Sequence, residues 1–256
     1  MRRADVSVAA DRPDRLELEV VDGDDEGIEA RGGEPLRPGR PVEVFLNDSP
    51  LFSGRVDRCG LRCDPLGRRW LVVAYAEYER FRVEASPATY FQMTDSEIAT
   101  RIAVELGLRP RVERTLEVFP RLERREDPLR FLRRRARDIS FEFAVAEGEL
   151  HFASTVPSSD DRAPLRVDCR SDLLALDVED RGLLGRGGSL RVSGDPAWRP
   201  LVSFDVDGYG PAWDARYRVV RCRHYLSGSG YRCLVHFLEE GLDFALWRGE
   251  GETIHG

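Results

Sequence analysis

The sequence predicts a mainly β protein of the α+β class, in which two small antiparallel β-barrel-like domains flank a small α+β domain. Three observations predict this class. Short runs near both ends of the chain alternate apolar and polar residues, as half-buried strands do. Turn residues separate these runs at close spacing. Between the two β regions, two stretches have the apolar periodicity of amphipathic helices, 95–106 and 127–139.

Length and composition fit this organisation. The 256 residues suffice for two or three small domains, and 41% of them are hydrophobic, which is enough for packed cores. We place the domains at 1–86 for the first β-barrel, 87–155 for the α+β domain, and 156–256 for a second, abridged β-barrel with a C-terminal tail. The net charge of -7 favours solubility and argues against a whole-surface nucleic-acid binder.

The sequence also indicates in which cellular compartment the protein is made. No run approaches the roughly 18 uncharged apolar residues of a membrane helix. Charged residues up to Arg12 interrupt any apolar core of a secretory signal. The five cysteines are an odd number at scattered positions, so reduced thiols are expected. We therefore expect a protein made in the cytoplasm that does not insert into a membrane.

The first β region begins with a clear alternating pattern. Leu16, Leu18 and Val20 alternate with glutamates, as in a half-buried strand. The acidic turn that follows, 22–27, spaces its carboxylates like a calcium loop. Gly33, however, stands at the twelfth position, where such a loop needs a bidentate glutamate. A solvated hairpin loop is the favoured interpretation.

Further strands follow in the same region. A Pro-Gly turn leads into an apolar run at 36–46, a second run covers 51–56, and a third covers 70–75 after a turn at 64–67. Several short strands joined by such turns predict a small antiparallel barrel or sandwich.

The first helix has the most complete end signals in the chain. Thr94 and Glu97 form a capping box, in which each side chain bonds the other residue's backbone amide. Met93 and Ile98 supply the matching hydrophobic staple. Gly107 is expected to end the helix in the left-handed conformation. One face carries an apolar stripe of Ile98, Ile102 and Leu106.

The second helix is predicted from Asp127-Pro128, an N-cap followed by proline at the first helical position. Its apolar stripe consists of Leu129, Leu132, Ala136 and Ile139. A different face, here called the arginine face, consists of Arg130, Arg133, Arg134 and Arg137. A strand at 141–145 then turns at 147–149 and returns through 150–152.

The last part of the chain returns to β patterning. A polar linker at 155–161 precedes it. A strand is expected around 190–196. A final hairpin joins 217–225 to 231–237 through the turn 227–230.

Two of these stretches resemble phage late control gene D proteins, the tail-hub relatives of the base of VgrG spikes. The first is Phe91-Gln92-Met93-Thr94-Asp95-Ser96-Glu97-Ile98-Ala99, which is similar to the segment that opens the family's middle domain. The second, more specific run covers 127–137, 141–143 and 148–152. The β stretches 41–56 and 217–233 are also similar to the family's two barrels.

One departure from the family lies between Pro196 and Tyr217. Only about twenty residues separate these positions, whereas family members carry a longer segment with a helix. The chain also carries no needle-like spike. What the family does through those parts therefore does not transfer to this chain.

The sequence shows no convergent catalytic constellation. A Gly-x-Ser-x-Gly elbow is absent, and no phosphate loop or dinucleotide fingerprint stands at a strand–helix junction. Carboxylates are abundant, but without a pocket their spacing indicates solvated surface. We predict no catalytic, cofactor-binding or metal-binding residue and no cofactor.

A zinc site is the metal site that we consider in the final hairpin. Cys222, His224, Cys233 and His236 are the right donors for a tetrahedral site. If the hairpin is centred on Gly228, however, Cys233 points away from the other three. A one-residue change of register would bring it across, and the sequence does not decide between the two registers. The pair Cys59 and Cys63 has no companion and is interpreted as two ordinary thiols.

Arginines are concentrated between Arg109 and Arg137. This stretch has 11 arginines and 5 acidic residues. Single-stranded nucleic acid binding needs interleaved aromatic residues, and only Phe119 and Phe131 are present. A solvated helix face is a second interpretation. We prefer a third, in which the arginines meet an acidic surface of a neighbouring subunit and set specificity.

The resemblance implies a structural hub at the centre of a contractile tail or tail-like injection machine. It implies a homotrimer that adapts the six-fold tail tube to a three-fold spike. The implied partners are a separate spike protein, the tail tube protein and baseplate wedge proteins, in a virion or tail-like particle. The alternatives are a tail-associated cell-wall hydrolase and a stand-alone β-rich binding module.

Overall fold

The computed structural model describes residues 3–10, 12–21, 37–46, 48–65, 67–156, 165–168, 173–180, 182 and 185–240. The described residues are mostly strands with a few short helices, which confirms the mainly β α+β class. The acidic turn at 22–27, most of the polar linker at 155–161, and Cys169 lie outside the described residues. The division into three domains stays a prediction.

The elements follow one another in this order. The first part contains β1 (Arg3–Ala9), β2 (Arg12–Val21), β3 (Pro41–Leu46), β4 (Ser49–Asp64) and β5 (Gly67–Tyr75). The central part contains α1 (Glu77–Glu84), β6 (Ala88–Thr94), α2 (Asp95–Glu105), β7 (Arg109–Val112), β8 (Val118–Arg124), α3 (Pro128–Asp138), β9 (Glu142–Ala146) and β10 (Glu149–Ala153). The last part contains β11 (Leu165–Asp168), β12 (Leu173–Asp180), β13 (Arg186–Ser193), β14 (Ser203–Asp207), β15 (Ala215–Ser227) and β16 (Gly230–Glu239).

One large sheet joins the first and last parts of the chain. Its strand order is β12-β13-β16-β15-β1-β2-β5-β4-β3, and β14 and β11 extend it from β15. The strand β1 pairs antiparallel with β2 on one side and with β15 on the other. Because β1 joins the two β regions edge to edge, neither forms the closed barrel that the turn spacing suggested, as far as the described residues show.

The large sheet has one apolar core shared by both β regions. Side chains from β2 and β5 belong to the same buried cluster as those from β14, β15 and β16. In the last part, Tyr217 and Phe204 pack against Phe237, with ring centroids 4.8 and 5.3 Å from it. Burial of such large apolar rings is a main stabilising contribution to this core.

The central part has a separate apolar core. Its strands form a three-stranded sheet, β7-β10-β9, and a two-stranded sheet, β6-β8. The apolar faces of α2 and α3 contribute Ile98, Ile102 and Leu132, and β10 contributes Leu150 and Phe152. The stripes that the sequence shows on both helices are therefore the faces that pack inward.

The predicted capping box begins α2. The Glu97 N–H donates to Thr94 Oγ1 at 3.2 Å, and the Thr94 N–H donates to Glu97 Oε2 at 2.7 Å. Gly107 follows the helix with φ at 70°, the left-handed value expected of the stop residue. Local chemistry alone therefore located this helix correctly.

Replacing Thr94 with alanine should cost about 1 kcal/mol of unfolding free energy, because the Glu97 N–H at the start of α2 loses its acceptor, Thr94 Oγ1. Thr89→Ala is the matched control: Thr89 is exposed on β6 and should change stability by less than about 0.5 kcal/mol. Urea unfolding followed by circular dichroism measures both. Equal midpoints for the two variants would show that the cap contributes nothing.

The helix α1 differs from the prediction of strands throughout 1–86. Its sequence, Glu-Tyr-Glu-Arg-Phe-Arg-Val-Glu, ends in an alternating pattern that favours a strand. In the structure Arg82 pairs with Glu79 one turn earlier and with Asp127, the N-cap of α3. The second of these contacts joins segments distant in the chain, so it could not be inferred from the local pattern.

No helix among the described residues is long and apolar enough to cross a membrane.

Candidate functional site

The register of the final hairpin decides which chemical groups meet. Ser227 pairs with Gly230, so the turn between β15 and β16 consists of two residues, Gly228 and Ser229. The hairpin is thus centred between these residues and not on Gly228. Opposite His224 lies Cys233, and opposite Cys222 lies Val235. The structure therefore has the shifted register, in which Cys233 lies on the same face as Cys222 and His224.

Cys222, His224 and Cys233 form a buried group, here called the hairpin cluster. Their ligand-type atoms all lie within 4.8 Å of one another, and each residue is at most 2% exposed. The Cys233 Sγ lies 3.2 Å from His224 Nδ1, and the Tyr231 hydroxyl lies 2.8 Å from the same nitrogen. Tyr231 belongs to no recognisable motif in the sequence, and its only sequence signal is its position two residues before Cys233.

The two thiols of the hairpin cluster differ in acidity. Two hydrogen bonds lower the pKa of Cys233 below its usual value. The bond from Cys222 has the larger effect, and the bond with His224 has the smaller one. Burial raises the pKa of Cys222 well above its usual value. Proton loss from this pair therefore begins at Cys233, whose sulfur has the hydrogen-bond partners that stabilise a thiolate.

Cys59, Cys63 and His236 lie apart from this cluster. His236 is paired with Arg221, on the opposite face of the hairpin. Cys59 is half-buried and Cys63 is exposed, both on β4. The described cysteines form no disulfide with one another.

The arginine-rich stretch is largely paired within the chain. Arg134 lies 2.9 Å from Glu126, and Arg130 lies 3.7 Å from the same carboxylate. Arg135 forms a bidentate salt bridge with Asp95, in which Nε and Nη2 donate to the two carboxylate oxygens at 2.7 and 2.8 Å. Pairs of this kind offset part of the positive excess, so the local field is weaker than the residue count suggests.

The arginine face remains on the surface of α3. The side chain of Arg130 is 80% exposed and that of Arg134 is 48% exposed. Phe131 is fully buried, and Phe119 lies under the Arg135 guanidinium at 4.7 Å. The Phe131 ring is buried and the Arg135 guanidinium covers one face of Phe119, so neither ring is a fully open stacking surface, which disfavours the nucleic-acid interpretation.

The central part also exposes several large apolar side chains. The large exposed residues there are Phe91, Val104, Leu116 and Val118. In the large sheet, β3 and β12 each pair on one side only within the described residues. Unpaired strand edges and exposed apolar side chains are both features of surfaces that associate with other chains.

Comparisons with known proteins agree with this architecture. No family model and no curated protein sequence matches the chain. A 43 kDa tail protein of prophage MuSo2 from Shewanella oneidensis has a similar structure, with a TM-score of 0.69 and 13% identity over 93% of this chain and 92% of that one. A tail protein of Neisseria meningitidis MC58 gives a TM-score of 0.69 and 15% identity over 94% and 93% of the two chains.

A third similar structure comes from a secretion machine. The Escherichia coli c3393 protein, a component of the type VI secretion system, gives a TM-score of 0.72 and 11% identity over 94% of this chain and 73% of that one. That protein is itself described as similar to the T4 bacteriophage tail proteins gp27 and gp5. The chain therefore has the fold that these phage tail proteins and this secretion component share, which confirms at the level of the fold the resemblance seen in the sequence.

Proposed function

We propose that this protein is a structural hub at the centre of the baseplate of a contractile phage tail or a tail-like injection system. The observation that carries the proposal is the extent of the structural match. It covers 93% and 94% of this chain and more than nine-tenths of two tail proteins. A match to whole chains supports a shared architectural role better than a match to one common module would.

In this role three copies would form a ring that adapts the six-fold tail tube to a three-fold spike. The strands β3 and β12 lie at opposite ends of the strand order, and each pairs on one side only within the described residues. Their free edges could pair with strands of neighbouring copies in the ring. The partners we propose are a separate spike protein, the tail tube protein and baseplate wedge proteins. The chain would be made in the cytoplasm and assembled into a virion or tail-like particle.

The proposed role is mechanical and not catalytic. The shared core joins the two β regions, and the buried ion pair of Glu142 and Arg218 joins the central part to β15, which gives the rigidity that an adaptor between symmetries needs. A tail-associated cell-wall hydrolase would instead need reacting groups in an open cleft. A stand-alone binding module would be a monomer.

The first test is the solution mass of the purified protein, by light scattering on a sizing column, alone and with the products of neighbouring genes. The proposal expects a trimer of about 87 kDa, three times the 29.1 kDa of one chain, alone or with a spike-like neighbour. A chain that stays monomeric with every neighbour would overturn the hub and favour the binding module. Release of peptidoglycan fragments would favour the hydrolase.

Arg134→Glu is expected to leave the fold intact and to weaken assembly. The lost ion pairs with Glu126 and Asp138 are exposed and together worth less than about 1 kcal/mol. An acidic partner surface would be repelled by the new charge, which we expect to raise the dissociation constant by at least about tenfold. Arg101→Glu, on α2 outside the arginine face, is the matched control with the same charge change. Normal assembly of the Arg134 variant would refute an interface at this face.

A further inference from the structure

The hairpin cluster combines features that an ordinary group of core side chains does not need. Cys222, His224 and Cys233 present three metal-type donor atoms within 4.8 Å of one another. Cys222 and Cys233 belong to the main apolar core, and His224 is buried with 1% of its surface exposed. We infer that the hairpin cluster is a zinc site, with Cys222 Sγ, His224 Nδ1 and Cys233 Sγ as ligands.

The distances suit a single ion. With zinc–sulfur bonds near 2.3 Å and zinc–nitrogen bonds near 2.0 Å, ligand atoms of a tetrahedral site lie about 3.5–3.8 Å apart. Cys233 Sγ and His224 Nδ1 are now 3.2 Å apart, so a shift of a few tenths of an ångström would admit the ion. The backbone already provides the arrangement, because His224 and Cys233 are directly opposed and Cys222 lies two residues away on the same face.

An oxygen donor is available for the fourth position. The Tyr231 hydroxyl lies 2.8 Å from His224 Nδ1, the same nitrogen that the sulfur of Cys233 approaches to 3.2 Å. The Tyr231 ring packs directly against the backbone of Gly194. A β-carbon at this position would lie only 2.0 Å from the ring, so only glycine leaves room for it. A set of two cysteines, one histidine and one oxygen is well suited to zinc, since soft thiolates favour zinc and Cu(I) over magnesium or calcium.

A zinc ion at this site would link β15 to β16 through its ligands, near the turn that joins the two strands. This inference is independent of the proposed hub role, because it depends only on the side chains of one hairpin. Zinc in this position would act structurally, since the cluster is buried and all the protein ligands come from two neighbouring strands.

The test is the metal content of the untagged, full-length chain, purified in reducing buffer from zinc-supplemented cells and measured by mass spectrometry of the elements. We expect about one zinc per chain. Cobalt added to the metal-free chain should give the charge-transfer and d–d bands of a tetrahedral thiolate site. Less than about a tenth of an equivalent of zinc together with no cobalt bands would overturn the inference. Both measurements use the wild-type chain, so they do not depend on whether a variant folds.

Variants then assign the ligands. Cys222→Ser and Cys233→Ser should each weaken zinc binding by at least about tenfold. The matched controls are Cys63→Ser, an exposed thiol, and His236→Gln, on the opposite face of the hairpin; both should keep the metal. Wild-type zinc content in both cluster variants would overturn the assignment. If the cluster variants fail to fold, the cobalt spectrum of the wild-type chain decides.

Discussion

Replacing Leu132 with aspartate is expected to unfold the central part of the protein. Leu132 is 1% exposed and lies in the apolar core that α2 and α3 form with β10. Removing a buried leucine alone costs about 2–5 kcal/mol. The aspartate adds the cost of a carboxylate that has no partner there. Since whole proteins are stable by only about 5–15 kcal/mol, this change removes most or all of the available stability.

Arg130→Asp is the matched control for this prediction. It places the same aspartate on the same helix, but at a side chain that is 80% exposed and near the N-terminus of α3, where a negative charge is tolerated. We expect its melting curve to stay close to that of the wild type, whereas Leu132→Asp should lose helical circular dichroism at room temperature. A folded Leu132 variant would show that α3 does not hold this core together.

Replacing Glu142 with alanine is expected to destabilise the protein by about 3–5 kcal/mol, because it leaves the charge of Arg218 buried without its partner. Glu142 Oε1 lies 2.9 Å from Arg218 Nη2, and both side chains are less than a tenth exposed. The Val156 N–H donates to Glu142 Oε2 at 2.7 Å, and Arg218 donates to the Val156 carbonyl at 2.6 Å. The group connects β9 of the central part to β15 of the large sheet.

A double substitution distinguishes the cost of an orphaned charge from the value of the pair itself. Glu142→Leu with Arg218→Met removes both charges, so it should recover most of the stability that Glu142→Ala loses. The exposed pair of Asp205 and Arg216 supplies the control, since Asp205→Ala should cost less than about 1 kcal/mol. Thermal unfolding of all three variants measures these effects. A double variant as unstable as Glu142→Ala would mean that the ion pair itself stabilises the fold.

Local signals were sufficient for the helices at 95–106 and 127–139. The capping box of Thr94 and Glu97 and the N-cap of Asp127 are contacts between residues three or fewer positions apart, so their chemistry is visible in the sequence. The apolar stripes of these helices and the final hairpin were predicted correctly for the same reason. The strand β1 was overlooked, although it joins both β regions, because its importance lies in its partners and not in its own pattern.

By itself, the sequence determined the class of the protein, two of its helices, its final hairpin and a resemblance to tail hubs. Tertiary structure decided the rest. A single residue of register placed Cys233 beside His224, and this register follows from a two-residue turn. The bonds of Asp95 to Arg135 and of Glu142 to Arg218 join residues 40 and 76 positions apart. Such contacts depend on how whole elements pack, because the chain brings distant side chains together only after its cores have formed.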